Sequence, residues 1–180
     1  MGGGNVAIGY GAFSAEYTGS NHVAIGKSAL AAWNVGGNSN VAIGLNALAE
    51  NVAGGNNTAI GTNTLAAQNT SGTAADTHNT AVGNSAGAAV TSGVQNTLIG
   101  SIAGDALTTG QENVVVGYAA LSSDDVGNRT VAIGHGALFY QNYATATSSN
   151  NKVVGYNAGN AVKVGVDNTI MGSLAGDALT

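Results

Sequence analysis

A short pattern of apolar residues repeats along the whole chain and always ends in glycine. It reads Asn-Val-Ala-Ile-Gly, or a close variant, and occurs ten times in 180 residues. The ten glycines are Gly9, Gly26, Gly44, Gly61, Gly83, Gly100, Gly117, Gly134, Gly155 and Gly172. Seven of the nine steps between them are 17 or 18 residues long. Such regular spacing is typical of a solenoid and argues against a compact globular enzyme.

Each copy of the pattern predicts one short β-strand. The residue before the glycine is Ile, Val or Met, and the residue before that is Ala, Val, Leu or Ile. Successive side chains of a strand point to opposite faces, so both faces are predicted to be dry. The predicted fold class is all-β, a parallel β-solenoid of ten coils with about 17 residues in each.

Asparagine stands four residues before the glycine in eight of the ten units. Stacked coils bring equivalent residues to within about 4.8 Å, a spacing at which Asn side chains hydrogen-bond in a ladder along the axis. The predicted ladder residues are Asn5, Asn40, Asn57, Asn79, Asn96, Asn113, Asn151 and Asn168. A row of metal or ligand sites is the alternative, but neutral amides are poor metal ligands.

Two junctions between repeats are four or five residues longer than the common 17-residue step, and they predict loops that bulge from the coil. They run over residues 68–78 and 139–150. The sequence of residues 96–108 also returns at residues 168–180 with three changes, so four coils form a longer repeat that carries one loop. We predict a single repeat domain, 1–180, that is a segment of a longer fibre or stacks end to end, because neither end resembles a solenoid cap.

The composition excludes several classes of function. Charged residues make up only 7% of the chain, and four scattered cations cannot build a nucleic-acid surface. No apolar run reaches the ~18 residues that a membrane-spanning helix needs, so no membrane insertion is expected. The carboxylates fall mostly in the junctions, and His22, His78 and His135 occupy three different positions of the repeat. We therefore predict no catalytic residues, no metal site and no cofactor.

Five aromatic residues fall in the junctions, outside the repeated core. These candidate receptor-contact residues are Tyr17, Trp33, Phe139, Tyr140 and Tyr143. Exposed aromatic rings at loop tips stack on sugars or contact protein receptors. The alternative is that the rings pack over the adjacent coil or at a seam between chains. The segment from Phe139 to Tyr143 is the strongest candidate because it carries three of the rings on one predicted bulge.

The motif Asn-Val-Ala-Ile-Gly-x-x-Ala-Leu resembles the head repeat of trimeric autotransporter adhesins, the YadA-like head. The 17-residue spacing and the Asn-Thr-Ala-Ile-Gly variant at residues 57–61 are still more similar to repeats of bacteriophage tail fibres. The resemblance covers Asn5 to Thr180. It implies a left-handed parallel β-roll and a homotrimer, in which one strand face fills the coil and the alanine face approaches the partner chains.

The resemblance also implies a structural function outside the cell. We expect a shaft segment of a phage tail fibre on the virion surface, which supports attachment to a host receptor. A cell-surface adhesin head and a self-stacking extracellular filament stay open as alternatives. The expected partners are further copies of the chain and a glycan or protein of the host surface. An ice-binding solenoid would need a regular threonine array, and only Thr58, Thr80 and Thr97 are consecutive.

Overall fold

The computed structural model describes residues 2–15, 19–32, 37–70 and 75–179. In these ranges the chain is all-β, with ten three-residue strands in one parallel sheet and one strand in each coil. The strands in chain order are β1 (Val6–Ile8), β2 (Val23–Ile25), β3 (Val41–Ile43), β4 (Gly54–Gly55), β5 (Thr58–Ile60), β6 (Ala75–Asp76), β7 (Thr80–Val82), β8 (Thr97–Ile99), β9 (Val114–Val116), β10 (Gly127–Asn128), β11 (Val131–Ile133), β12 (Thr147–Ser148), β13 (Lys152–Val154) and β14 (Thr169–Met171). The predicted parallel β-solenoid is confirmed.

Equivalent residues of successive repeats lie directly beside one another in the sheet. Ala42 of β3, for example, pairs with Ala24 of β2 and Ala59 of β5. All ten strands of the main sheet stop at the residue before the repeat glycine, whose φ lies between 123° and 145°. Only glycine adopts this conformation without strain. A Cβ at Gly9 would also lie 2.7 Å from the carbonyl oxygen of Gly26, so the coils approach too closely for any side chain there.

The interior of the coil is filled by the alanine side of each strand. The residue two before the glycine is fully buried in the main-sheet strands from β2 to β13, as at Ala24, Ala132 and Val153. The residue directly before the glycine points outward, since Ile99 is 40% exposed beside the fully buried Leu98. The expectation that the alanine face approaches partner chains is therefore wrong. The buried strand residue packs with an alanine and a large apolar residue of the same coil, so it is alanine in most coils, although Leu98, Val115 and Val153 also fit there.

A large apolar residue after the glycine completes the core of each coil. Six units place Phe or Leu four residues after the glycine, with φ between 48° and 52°, and the other four units place glycine there with φ between 56° and 61°. A left-handed leucine costs about 1–2 kcal/mol of conformational energy, which burial of its side chain offsets. Where glycine stands, a residue three places later supplies the bulk, as Val90 and Leu107 do with no exposed surface.

Each long junction adds a small second sheet to the solenoid. β4 pairs with β6 at the first, and β10 pairs with β12 at the second. Both pairings are parallel and two residues long. The junctions are not simple outward bulges, because each also sends a glutamine into the interior. Gln68 and Gln141 are both fully buried, and they stand at the same position of the repeat.

Candidate functional site

The eight predicted ladder asparagines lie in one column along the interior, and most of them are fully buried. Oδ1 of Asn40 accepts hydrogen bonds from the backbone N–H (2.9 Å) and the side-chain amide (3.0 Å) of Asn57. Nδ2 of Asn40 donates to the carbonyl of Gly54 at 2.9 Å. In the same way, the backbone N–H of Asn96 donates to Oδ1 of Asn79, and that of Asn113 donates to Oδ1 of Asn96. Because the amides are used by the backbone of the next coil, the column holds the coils together.

Two other residues stand in the asparagine column. His22 is fully buried, and its Nδ1 accepts the backbone N–H of Asn40 at 3.2 Å. Burial lowers the pKa of His22, although a hydrogen bond with the Gly37 backbone raises it in part. Thr130 pairs its hydroxyl with that of Ser149 at 2.6 Å. Ser149 comes from the second long junction, so the junction supplies a polar atom where the column lacks an amide.

The second long junction alternates inward and outward side chains over residues 140–144. Gln141 and Tyr143 are buried, whereas Tyr140, Asn142 and Ala144 are exposed. This is the period of an extended chain. The backbone N–H of Asn142 donates to the carbonyl of Lys163 at 2.9 Å, which fixes the segment against the following coil.

Tyr143 is buried and connects the second long junction to the next coil. Its ring is only 5% exposed, and its hydroxyl donates to the carbonyl of Gly165 at 2.8 Å. Burial, with a smaller contribution from the carboxylate of Asp124, raises the pKa of Tyr143 to about 12. The prediction that Tyr143 contacts a receptor is therefore wrong, since its polar atom satisfies the backbone of the next coil.

The other candidate receptor-contact residues have different positions. Tyr140 is 52% exposed, and the ring of the half-buried Phe139 meets it edge-on at a centroid distance of 4.8 Å. Phe139 thus supports the Tyr140 ring. Tyr17 and Trp33 lie outside the described residues.

A buried carboxyl anchors the same junction from inside. Asp124 has no exposed surface, and its Oδ1 accepts the backbone N–H of Gly127 at 3.0 Å. Nε2 of Gln141 donates to its Oδ2 at 2.7 Å. Burial raises the pKa of Asp124 above the usual range, although these two hydrogen bonds lower it in part. Asp124, Gln141 and Tyr143 together fix the inner side of the segment.

An open groove of about 590 Å³ runs along the outer side of this segment. The residues that line it are Ser123, Tyr140, Asn142, Ala144, Lys163 and Val164. None of them belongs to the ten-stranded sheet. The groove combines an exposed phenol ring, an amide, a hydroxyl and an ammonium group, beside a backbone segment that hydrogen bonds hold in place.

A second surface feature, the stacking of three rings, was not predicted from the sequence. Tyr118, His135 and Tyr156 follow the repeat glycine in three successive coils and stack, with ring centroids 5.1 and 5.2 Å apart. All three are exposed. The signal was present, because His135 occupies the repeat position that holds tyrosine in the coils before and after it. Their inner ring faces cover one another, so mainly ring edges face solvent.

Comparison of the chain with protein-family models, with curated proteins and with solved structures gives no match. The described ranges contain no group of three or more His, Cys, Asp or Glu residues arranged to hold a metal ion. Within those same ranges, no helix is long and apolar enough to cross a membrane.

Proposed function

We propose that this chain is a structural segment of an extracellular fibre, built from three identical chains, with the shaft of a phage tail fibre as its setting. The observation that carries the proposal is the outward face of the ten-stranded sheet. It presents Ile, Val or Met from every coil, and several of these residues are strongly exposed in the single chain, including Ile60 at 38%, Ile99 at 40% and Met171 at 75%.

An apolar sheet face of this kind is expected to pack against another protein surface. A parallel sheet is almost always buried on both sides, and long exposed apolar surfaces on soluble proteins mark contacts with partners. The outward Ile, Val and Met residues form a column about 43 Å long, from nine steps of about 4.8 Å. A second copy in the same register carries a matching column, so the chain itself is the partner that fits along the full length.

Two positions of each strand face outward, and in the stacked coils each position forms a column of side chains. The two columns differ in polarity, and the difference favours a trimer axis beside the apolar column. The column directly before the glycines is apolar in every unit. The column two residues earlier includes Thr58, Thr97 and Lys152. Nζ of Lys152 reaches back to the carbonyl of Asn150 at 3.0 Å, at the rim of the sheet. Three chains meet along the apolar column, and the mixed column faces the seam and the solvent.

The Ala-rich coil interior also suits a shaft. Each coil binds its neighbours through the sheet and the asparagine column, so the solenoid resists bending along its whole length. The proposed role is mechanical: it holds a receptor-contacting surface away from the body of the particle. A trimeric adhesin head uses the same assembly and differs in the surface to which it is attached.

Light scattering coupled to size exclusion tests the assembly. We expect a mass of about 52 kDa, three times the 17.4 kDa of the chain. Ile99→Asp places a charge on the outward column and should give a folded 17.4 kDa monomer with an unchanged β-type circular dichroism spectrum. Thr97→Asp, on the mixed column of the same strand, is the matched control and should stay trimeric. A monomeric wild-type chain, or a trimeric Ile99→Asp variant, would overturn the proposal.

A further inference from the structure

We infer that the groove beside the second long junction is a binding site for an acidic saccharide, a sugar that carries a carboxylate. Hydrogen bonds on the inner side of the junction fix the groove in the absence of a ligand. Gln141 bonds Asp124 at 2.7 Å and Tyr143 bonds the carbonyl of Gly165 at 2.8 Å, so the segment is pinned at two alternate residues. The outward residues next to them in the chain, Tyr140 and Asn142, therefore stand on a backbone that is held in place. Preorganised groups bind without the entropy loss of ordering a loop.

The lining groups match the parts of such a sugar. The Tyr140 ring offers a flat apolar surface for the C–H face of a pyranose, and Phe139 supports it from the edge at 4.8 Å. The Asn142 amide and the Ser123 hydroxyl supply both donors and acceptors for sugar hydroxyls. Lys163 supplies the charge for a carboxylate. The volume of about 590 Å³ lies within the range of known small-molecule sites.

Lys163 is available for an anion. Among the described residues, the ion pair between Arg129 and Glu112 is the only one, so Lys163 has no carboxylate partner there. The chain as a whole carries a formal charge of −5, and this ammonium is one of only four basic groups. An unpaired cation beside an aromatic ring, on an otherwise acidic protein, favours an anionic ligand over a neutral one.

The first long junction begins in the same way against the following coil and provides an internal comparison. The N–H of Asn69 donates to the carbonyl of Thr91 at 2.9 Å, as the N–H of Asn142 donates to that of Lys163. Counted from the repeat glycines, the first junction has Glu50, Ala67 and Thr91 in the places of three groove residues. The replaced residues are Ser123, Tyr140 and Lys163.

The junctions therefore differ in the groove, and also on the inner side, where Asn51 and Thr70 stand in the places of Asp124 and Tyr143. The shared scaffold accepts an acidic, small-residue surface at one junction and an aromatic, basic surface at the other. The fold does not require Tyr140 or Lys163, since the first junction manages without them. The pair is therefore available for recognition, and exchanging it for the first junction's residues should keep the fold.

The inference rests on the proposed function for its setting, a surface fibre that meets host glycans, but it is tested separately. Binding of 3′-sialyllactose and of lactose to the full chain is measured by titration calorimetry or saturation-transfer NMR at low salt. The two probes share the neutral lactose core, and sialyllactose adds one sugar that carries a carboxylate. The Lys163→Thr variant separates the effect of the charge from that of the added sugar. We expect sialyllactose to bind about three- to fivefold more tightly, the effect of one partly exposed charge pair.

The variants copy the first junction. Lys163→Thr should remove the preference for sialyllactose, and Tyr140→Ala should weaken both sugars by about tenfold, since aromatic contacts contribute roughly 1.4 kcal/mol. The triple variant Ser123→Glu, Tyr140→Ala, Lys163→Thr should bind neither. Tyr118→Ala and Lys27→Thr are matched controls, because Tyr118 is 53% exposed against 52% for Tyr140. The controls should bind like the wild type.

Equal binding of the two sugars by the wild type, or no change on Lys163→Thr, would overturn the inference. Binding of a glutamate-rich peptide, with the same dependence on Lys163 and no sugar binding, would also overturn it and would assign the groove to an acidic peptide. A trimeric chain that binds neither sugar would overturn only this inference. A monomeric chain that binds sialyllactose would overturn only the proposed fibre assembly.

Discussion

Asp124 and Asn51 occupy the same position of two successive four-coil units, and both cap a buried glycine N–H. Oδ1 of Asn51 accepts the N–H of Gly54 at 2.8 Å, and Oδ1 of Asp124 accepts that of Gly127 at 3.0 Å. Both side chains have no exposed surface. The fold therefore tolerates an amide and a carboxyl in one place, and only the carboxyl titrates.

The buried carboxyl predicts a pH-dependent stability. Burial raises the pKa of Asp124 above its unfolded value of about 3.8. As pH rises from that value, the unfolded chain loses its proton first, so stability falls until the native carboxyl has also ionised and is constant above that point. Asp124→Asn removes this contribution. We expect its stability, relative to the wild type, to increase from about pH 4 towards neutrality.

Urea unfolding at a series of pH values measures the effect, and the reciprocal variant is the control. Asn51→Asp should create the same dependence in the first unit, with the greatest loss of stability at neutral pH and partial recovery in acid. Its loss is expected to be larger, because Nδ2 of Asn51 donates to the carbonyl of Gly54 at 2.8 Å and a carboxylate cannot. Parallel pH profiles for wild type and Asp124→Asn would contradict the prediction.

The repeat glycines predict a sharp positional effect of alanine. Gly100 has a φ of 135°, and a Cβ there would lie 2.5 Å from the carbonyl oxygen of Gly117. Backbone strain alone costs about 1–3 kcal/mol, which lowers the melting temperature of a chain of this size by roughly 2–10 °C. Gly100→Ala should therefore melt clearly below the wild type at the same protein concentration.

Gly3→Ala is the matched control for this experiment, since a Cβ at Gly3 would meet no atom within 4 Å. Its melting temperature should equal that of the wild type. An unchanged melting temperature for Gly100→Ala would mean that successive coils lie further apart at the glycines than the sheet register places them.

The sequence predicted the strands and their pairing because both depend on spacing alone. The ten strands of the main sheet each end one residue before a repeat glycine, and a nearly constant step brings equivalent residues together whatever their identity. Which face of each strand enters the coil was not predictable in the same way. Ala132 and Ile133 are both apolar, and the choice of which enters the coil depends on the space left by Ala137 and Leu138 on the far side.

The candidate site was only partly predictable for a related reason. Burial in the second junction follows an extended-chain period, but the buried residues are Gln141 and Tyr143, which carry no apolar alternation. Their partners, Asp124 and Gly165, lie in other coils and are distant in sequence. Sequence reasoning therefore identified Tyr140 and overlooked Lys163, whose position beside it depends on how the coils stack.

Neighbouring residues of one strand should respond in opposite ways to truncation. Leu98 is fully buried, and its methyl groups fill the space that faces Gly87 and Gly104. Leu98→Ala should destabilise the chain by about 2–5 kcal/mol at every protein concentration, because it leaves a cavity inside the coil. Ile99 points outward, so Ile99→Ala should act chiefly on association and lower the melting temperature more at low concentration. Melting curves over a hundredfold range of concentration separate the two effects, and an exchange of the two behaviours would show that the faces of the strand are assigned the wrong way round.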